Sequence, residues 1–190
     1  MRVDPASGLL DAARQCPSPN RDARPDTEDL DLVVVHGISL PPGAFGGDAI
    51  DRLFTNTLDP QAHPYFAEIA HLRVSAHLLV RREGDIVQYV PFHERAWHAG
   101  ESSWCGRGAC NDYAVGIELE GSDDVPYAQV QYRRLAEVVG ALATAYPRIS
   151  AQRIAGHSDV APGRKTDPGP AFDWDRLAAL MRATPGERRR

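Results

Sequence analysis

The sequence predicts an α/β fold in a single domain spanning residues 1–190, with a central mixed β-sheet flanked by helices. Three observations point there. The almost continuous β-branched run Leu32-Val33-Val34-Val35-His36 reads as a strand buried on both faces, and Ala114–Glu120 reads as another strand. Segments of helical pattern stand between the strand-like ones, as a sheet covered by helices requires. A length of 190 residues, 43% of them hydrophobic, suffices for one sizeable core and is short for two.

Taken in order, residues 1–30 form an N-terminal arm, rich in Pro, Arg and Asp between Asp4 and Glu28, with one short helix expected near Gly8–Gln15. The strand 32–36 follows. Pro41-Pro42-Gly43 is a turn, and helical segments are expected at 48–54 and 60–70. In residues 75–92 two apolar runs flank Glu83-Gly84-Asp85, the pattern of a β-hairpin. Residues 95–112 read as a long polar loop carrying Trp97, His98 and Trp104; a loop of that length in a compact domain is often functional. After the strand 114–120 comes the longest helix, 127–146, with Val130, Leu135, Val138, Val139 and Leu142 on one face and Pro147 ending it. A short strand at Arg153–His157, a loop at 158–170 and a helix at about 173–181 complete the chain. The terminal 184–190, with its Arg188-Arg189-Arg190 run, reads as a flexible tail.

Composition excludes several functions. A net charge of −5 argues against a general nucleic-acid binder. No apolar run approaches the roughly 18 residues of a membrane span, so no membrane partner is expected. The first twenty residues lack the apolar centre of an export signal. Three cysteines, Cys16, Cys105 and Cys110, are too few and too loosely spaced for a disulfide framework, although a Cys105–Cys110 bridge stays open. These features together place the protein in a reducing cytoplasm. A monomer is expected.

Chemistry then rests on a few side chains. His36 ends an apolar strand where the sheet opens, His157 ends another, and Asp167 follows in a loop rich in Pro and Gly. Two imidazoles and a carboxylate are a familiar set for one catalytic Zn²⁺ at an edge of the sheet, with a fourth position left to water. Taken singly, each has a plainer account: a strand-end histidine is often structural, and Asp167 in Thr-Asp-Pro-Gly suits a turn. The helical H-E-x-x-H pattern is absent; after His93-Glu94, Trp97 stands where its second histidine belongs. Glu118 and Glu120 share one face of an interior strand, where a carboxylate is costly unless paired. Beside a metal, such a glutamate could act as a general base. Lys165 is otherwise an ordinary solvated charge, but two residues before Asp167 it could stabilise an oxyanion.

The segments LVVVHGISLPPGAFGG, HLRVSAHLLVRREGDIVQYVPF, RAWHAGESS, CNDYAVGIELEG and GHSDVAPGRKTDPGPAFDW resemble the AmpD-type N-acetylmuramoyl-L-alanine amidases, in order and over nearly the whole chain. The resemblance implies a zinc amidase of the cytoplasmic branch, acting on 1,6-anhydro-muramyl peptides in wall recycling. It implies His36, His157 and Asp167 as ligands, Glu118 and Lys165 as the catalytic pair, and Trp97 and His98 as lining of the substrate groove. Arg73 is implied to meet a substrate carboxylate. Two positions depart from the pattern. Gly37 stands where related enzymes often carry Asn, which removes a side-chain contact to substrate. Ala109 replaces an expected Arg, so recognition of the terminal stem-peptide carboxylate is either weaker here or supplied by Arg107. Three other readings compete. Gly156-His157-Ser158-Asp159-Val160 resembles part of the nucleophile elbow of a serine hydrolase, with Val160, which fits that tight turn poorly, in place of its second glycine. A non-catalytic wall-binding module and an exported amidase are the other two.

Overall fold

A computed structural model describes residues 1–183. The expected tail 184–190, with its arginine run, lies outside the described residues. The strands are β1 (Val3–Asp4), β2 (Leu9–Leu10), β3 (Arg14–Gln15), β4 (Arg21–Ala23), β5 (Leu32–Ile38), β6 (Leu78–Val80), β7 (Ile86–Gln88), β8 (Glu94–Ala96), β9 (Ser103–Trp104), β10 (Arg107–Gly108), β11 (Ala114–Glu120) and β12 (Ile154–Gly156). The α-helices are α1 (Ala49–Phe54), α2 (Pro64–Ile69), α3 (Gln129–Ala145), α4 (His157–Val160) and α5 (Trp174–Ala183). The fold is α/β, as predicted: a six-stranded mixed sheet in the order β12-β5-β11-β6-β7-β3, with helices on both faces. Strands β12, β5, β11 and β6 run parallel, and β7 turns back antiparallel to β6 through the expected hairpin.

The strand period of two divides the chemistry between the faces. One face presents Val33, Val35, Val115, Ile117 and Leu119, which pack with Leu135, Val138 and Leu142 of α3 and Leu177 of α5. The other face is apolar only in part. Leu32, Val34 and Ala114 join Val160 of α4 in one cluster, and Leu79 and Val87 join Ile50, Phe54 and Phe66 of α1 and α2 in another. On this second face the next residues along β5 and β11 are His36, Gly116, Glu118 and Glu120. The apolar pattern stops where the parallel strands reach their carboxyl ends.

Four expectations need correction. The helix near Gly8–Gln15 does not form. Gly8 takes a left-handed turn between β1 and β2 (φ 67°), and β3 adds to the sheet edge beside β7. The buried Gln88 captures this segment, accepting from Leu10 N at 2.8 Å and donating to Gly8 O at 2.9 Å. An open strand edge and a buried amide outweigh the helix propensity of Ala12, Ala13 and Arg14. The long loop 95–112 is also more ordered than expected, holding β9, β10 and a 3-10 turn at Cys110–Asp112. The second helical segment is shorter than 60–70, beginning only at Pro64, where His63 caps it by accepting from Tyr65 N. Finally, His157 does not end β12 but opens α4, one residue past Gly156. All three cysteines are free thiols. Among the described residues no helix is long and apolar enough to cross a membrane.

Candidate metal centre and catalytic site

Parallel pairing builds the centre. β11 and β5 are in register with Glu118 beside His36, so both side chains leave the sheet on the same face. β12 pairs on the other flank of β5 with Gly156 beside Val35, which delivers His157 next to His36. The loop after α4 returns Asp167, and its carbonyl oxygen accepts from Ser158 N at 2.9 Å.

His36, His157 and Asp167 converge, with one ligand atom from each lying within 4.8 Å of the others. The two Nδ1 atoms stand 3.0 Å apart. Asp167 Oδ2 lies 3.0 Å from His157 Nδ1 and 3.3 Å from His36 Nδ1. Gly37 N also faces that carboxylate oxygen, at 3.4 Å. Both imidazoles are buried. Two ring nitrogens and a carboxylate oxygen gathered this closely match the donor set and number of a catalytic zinc site. The cluster is positioned for a single Zn²⁺.

Electrostatics agree with that use. Burial pushes His36 down to about 4, reinforced by His157 and Lys165 and opposed by Asp167, so it stays in the neutral form a metal requires. Burial by itself would raise Asp167, but hydrogen bonds to His157 and His36 prevail and keep it far below the usual carboxylate range. Glu118 is the opposite case. Its carboxyl is pushed well up, first by burial and then by nearby Asp167, while Lys165 pulls it down. Its Oε2 is buried with no hydrogen-bond partner. Such an orphan carboxyl beside a ligand set is unusual for a buried polar group. Lys165 is exposed, and its charge is felt by both His36 and Glu118.

The remaining candidates divide. His98 stands directly against His36, Nδ1 to Nε2 at 3.0 Å, deeper in the centre than a groove-lining role implies. Trp97 is half-buried, its backbone N held by Ser75 Oγ at 3.0 Å. Arg73 is exposed and donates to the carbonyl oxygens of His71 and Leu72. Arg107 is already engaged, donating to Asp29 and stacked 3.7 Å over the Tyr113 ring. Glu120, the companion of Glu118, is a loop anchor: it accepts from Gly46 N at 2.6 Å and from Arg82 N at 3.1 Å.

Sequence reasoning missed Tyr127, His77 and Arg24. Tyr127 donates to Pro168 O at 2.9 Å and so holds the residue after Asp167. A side chain at Gly37 or Gly121 would overlap its ring or hydroxyl. Arg24 is buried and donates to backbone carbonyls of Phe92, Asn111, Asp112 and Ala114. The pair of glycines around Tyr127 was the one available signal, and it means nothing until the strands are placed.

Comparison with known proteins follows the same lines. The family model described as N-acetylmuramoyl-L-alanine amidase matches residues 26–170. The chain is 63% identical over 174 residues to the 1,6-anhydro-N-acetylmuramyl-L-alanine amidase AmpD of Citrobacter freundii, covering 92% of each. It superposes on the crystal structure of a selenomethionine AmpD derivative with a TM-score of 0.91 and 61% identity, covering 95% of this chain and 99% of that one. It is also similar to the amidase AmiD from E. coli, solved with anhydro-N-acetylmuramic acid-L-Ala-D-γ-Glu-L-Lys, with a TM-score of 0.58 and 31% identity over 84% of this chain and 60% of that one.

Proposed function

The chain belongs to the N-acetylmuramoyl-L-alanine amidase family, and from that premise we propose that it hydrolyses the amide bond between 1,6-anhydro-N-acetylmuramic acid and the L-alanine of a stem peptide. The observation that carries the reading is the meeting of His36, His157 and Asp167 beside the unpartnered carboxyl of Glu118. Nδ1 of each histidine and Oδ2 of Asp167 would hold one Zn²⁺. When bound, the ion supplies a water of lowered pKa and a polarised carbonyl. Glu118 Oε2 accepts the proton of the attacking water and returns it to the alanine nitrogen as the bond breaks. Beside a bound cation Glu118, whose carboxyl burial and Asp167 push up, would be held ready as a base. Lys165 Nζ offsets the negative charge that develops on the carbonyl oxygen.

Substrate recognition is part of the same proposal. Trp97 offers an apolar face to sugar or peptide, and Arg73 a cation to a stem-peptide carboxylate. Arg107 must release Asp29 before it can do the same. Gly37 contributes only its main chain. The site draws on elements from β5 to the loop after α4, which supports one catalytic domain; the setting proposed is cytoplasmic recycling of wall fragments.

The test is mass analysis of anhydro-muramyl tripeptide after incubation with zinc-loaded protein, with release of free tripeptide expected. Chelation abolishes release and zinc restores it. Glu118→Ala retains stoichiometric zinc and loses about 10²–10⁴-fold in rate. His157→Ala loses the metal. Intact substrate after incubation with zinc-loaded wild type would sink the reading, and full activity in Glu118→Ala would remove that residue from it.

A further inference from the structure

His36 has two ring nitrogens and one proton to place on them. If Nδ1 is to face an ion together with His157 Nδ1 and Asp167 Oδ2, the proton must sit on Nε2. A buried N–H needs an acceptor. The partner recorded for Nε2 is Nδ1 of His98, 3.0 Å away, with the two rings edge to face at 89°. We propose that His98 is a positioning residue for the metal centre, its Nδ1 accepting the Nε2 proton of His36 and thereby presenting an unprotonated His36 Nδ1 to the ion. The inference rests on the hydrolytic reading above.

Two further features support it. The backbone around His98 is clamped, since Asn111 Oδ1 accepts from His98 N at 3.2 Å and from Ala99 N at 2.8 Å. The slot for the ring exists because β11 carries a glycine there: a Cβ on Gly116 would overlap the His98 imidazole. Once Nδ1 accepts from His36, the proton of His98 lies on Nε2, which is buried with no hydrogen-bond partner among the described residues, a cost that this arrangement bears. His77, the next imidazole along, does not compete for the role, because its Nδ1 accepts from Gly116 N and its Nε2 faces Glu94 O and Arg24. Metal-bound histidines are generally oriented by an acceptor on their second nitrogen, and losing it weakens binding by about 10–100-fold.

Asn and Leu have nearly the same shape, and only Asn carries an acceptor close to where His98 Nδ1 stands. The experiment therefore compares His98→Asn and His98→Leu with the wild-type full chain. Zinc dissociation constants are measured by competition with a chromophoric chelator, and the folded state of each zinc-free protein is checked by circular dichroism and thermal melting. His98→Leu is expected to bind zinc about 10–100-fold more weakly, and His98→Asn to stay within about three-fold of wild type, a split that packing alone would not produce. Equal affinity in all three proteins, or equal weakening in both variants, overturns the proposal. If His98→Leu does not fold, His98→Asn decides alone, because weakened binding there contradicts an acceptor role. A wild-type chain that takes up no zinc would sink the hydrolytic reading itself, a different outcome from zinc binding that is indifferent to residue 98.

Discussion

Tyr127 is a side chain whose role is set by one atom. Its ring is buried and its hydroxyl donates to the carbonyl of Pro168, the residue that follows the carboxylate of the centre. Tyr127→Phe leaves that carbonyl unpaired, which costs roughly 1–3 kcal/mol. Urea denaturation of the zinc-free protein should show the loss, together with weaker zinc uptake as Asp167 loses its restraint. Unchanged stability would show that water replaces the hydroxyl. Glu118 was legible at this scale because a carboxylate inside an apolar strand is anomalous; Tyr127 was not, because an aromatic residue before a helix is ordinary.

Among the elements, β11 is the most constrained. It lies between β5 and β6, all seven of its residues are buried, and each face has a different duty. Gly116 is its thinnest point, where the His98 imidazole rests on the strand backbone. Gly116→Ala forces ring and strand apart, an overpacking worth about 1–3 kcal/mol. It should also weaken zinc binding by displacing His98 from His36. A variant with wild-type urea midpoint and zinc affinity would show that the slot has room to spare. The long strands and α3 were readable within a residue or two because their apolar periodicity runs long. The N-terminal arm was not, because its short strands exist only by pairing, β1 with β2, β3 with β7 and β4 with β8, and by bonding to Gln88.

For the whole molecule, the buried imidazoles set the response to acid. His36 is lowered to about 4, and His77 and His98 well below the ordinary histidine value; burial is the leading cause for each. A depressed histidine binds its proton more readily in the unfolded chain, so stability is lost as pH falls below about 6.5. Glu118 acts oppositely: its raised value makes the folded state hold a proton that the unfolded chain releases above about 4.5. Three histidines against one glutamate leave the unfolded state binding more protons below about pH 6.5, so stability falls with acid there. Calorimetry of the zinc-free protein should therefore show its melting temperature falling steeply from pH 6.5 to 5. A flat profile would mean that these rings are open to solvent. Zinc should raise the melting temperature at neutral pH, since it binds only the assembled centre.

What the sequence determined by itself was the sheet, the principal helix and the identity of the side chains able to do chemistry, because periodicity and the anomaly of a polar residue in an apolar strand are local properties. It also carried enough motif order to place the family. What the tertiary structure decided was proximity: the register that sets Glu118 beside His36, the loop that returns Asp167 to His157, and the glycine slot that lets His98 reach its neighbour. Residues 36, 98, 157 and 167 are separated along the chain, and only strand pairing and packing convert their separation in sequence into contacts of about 3 Å.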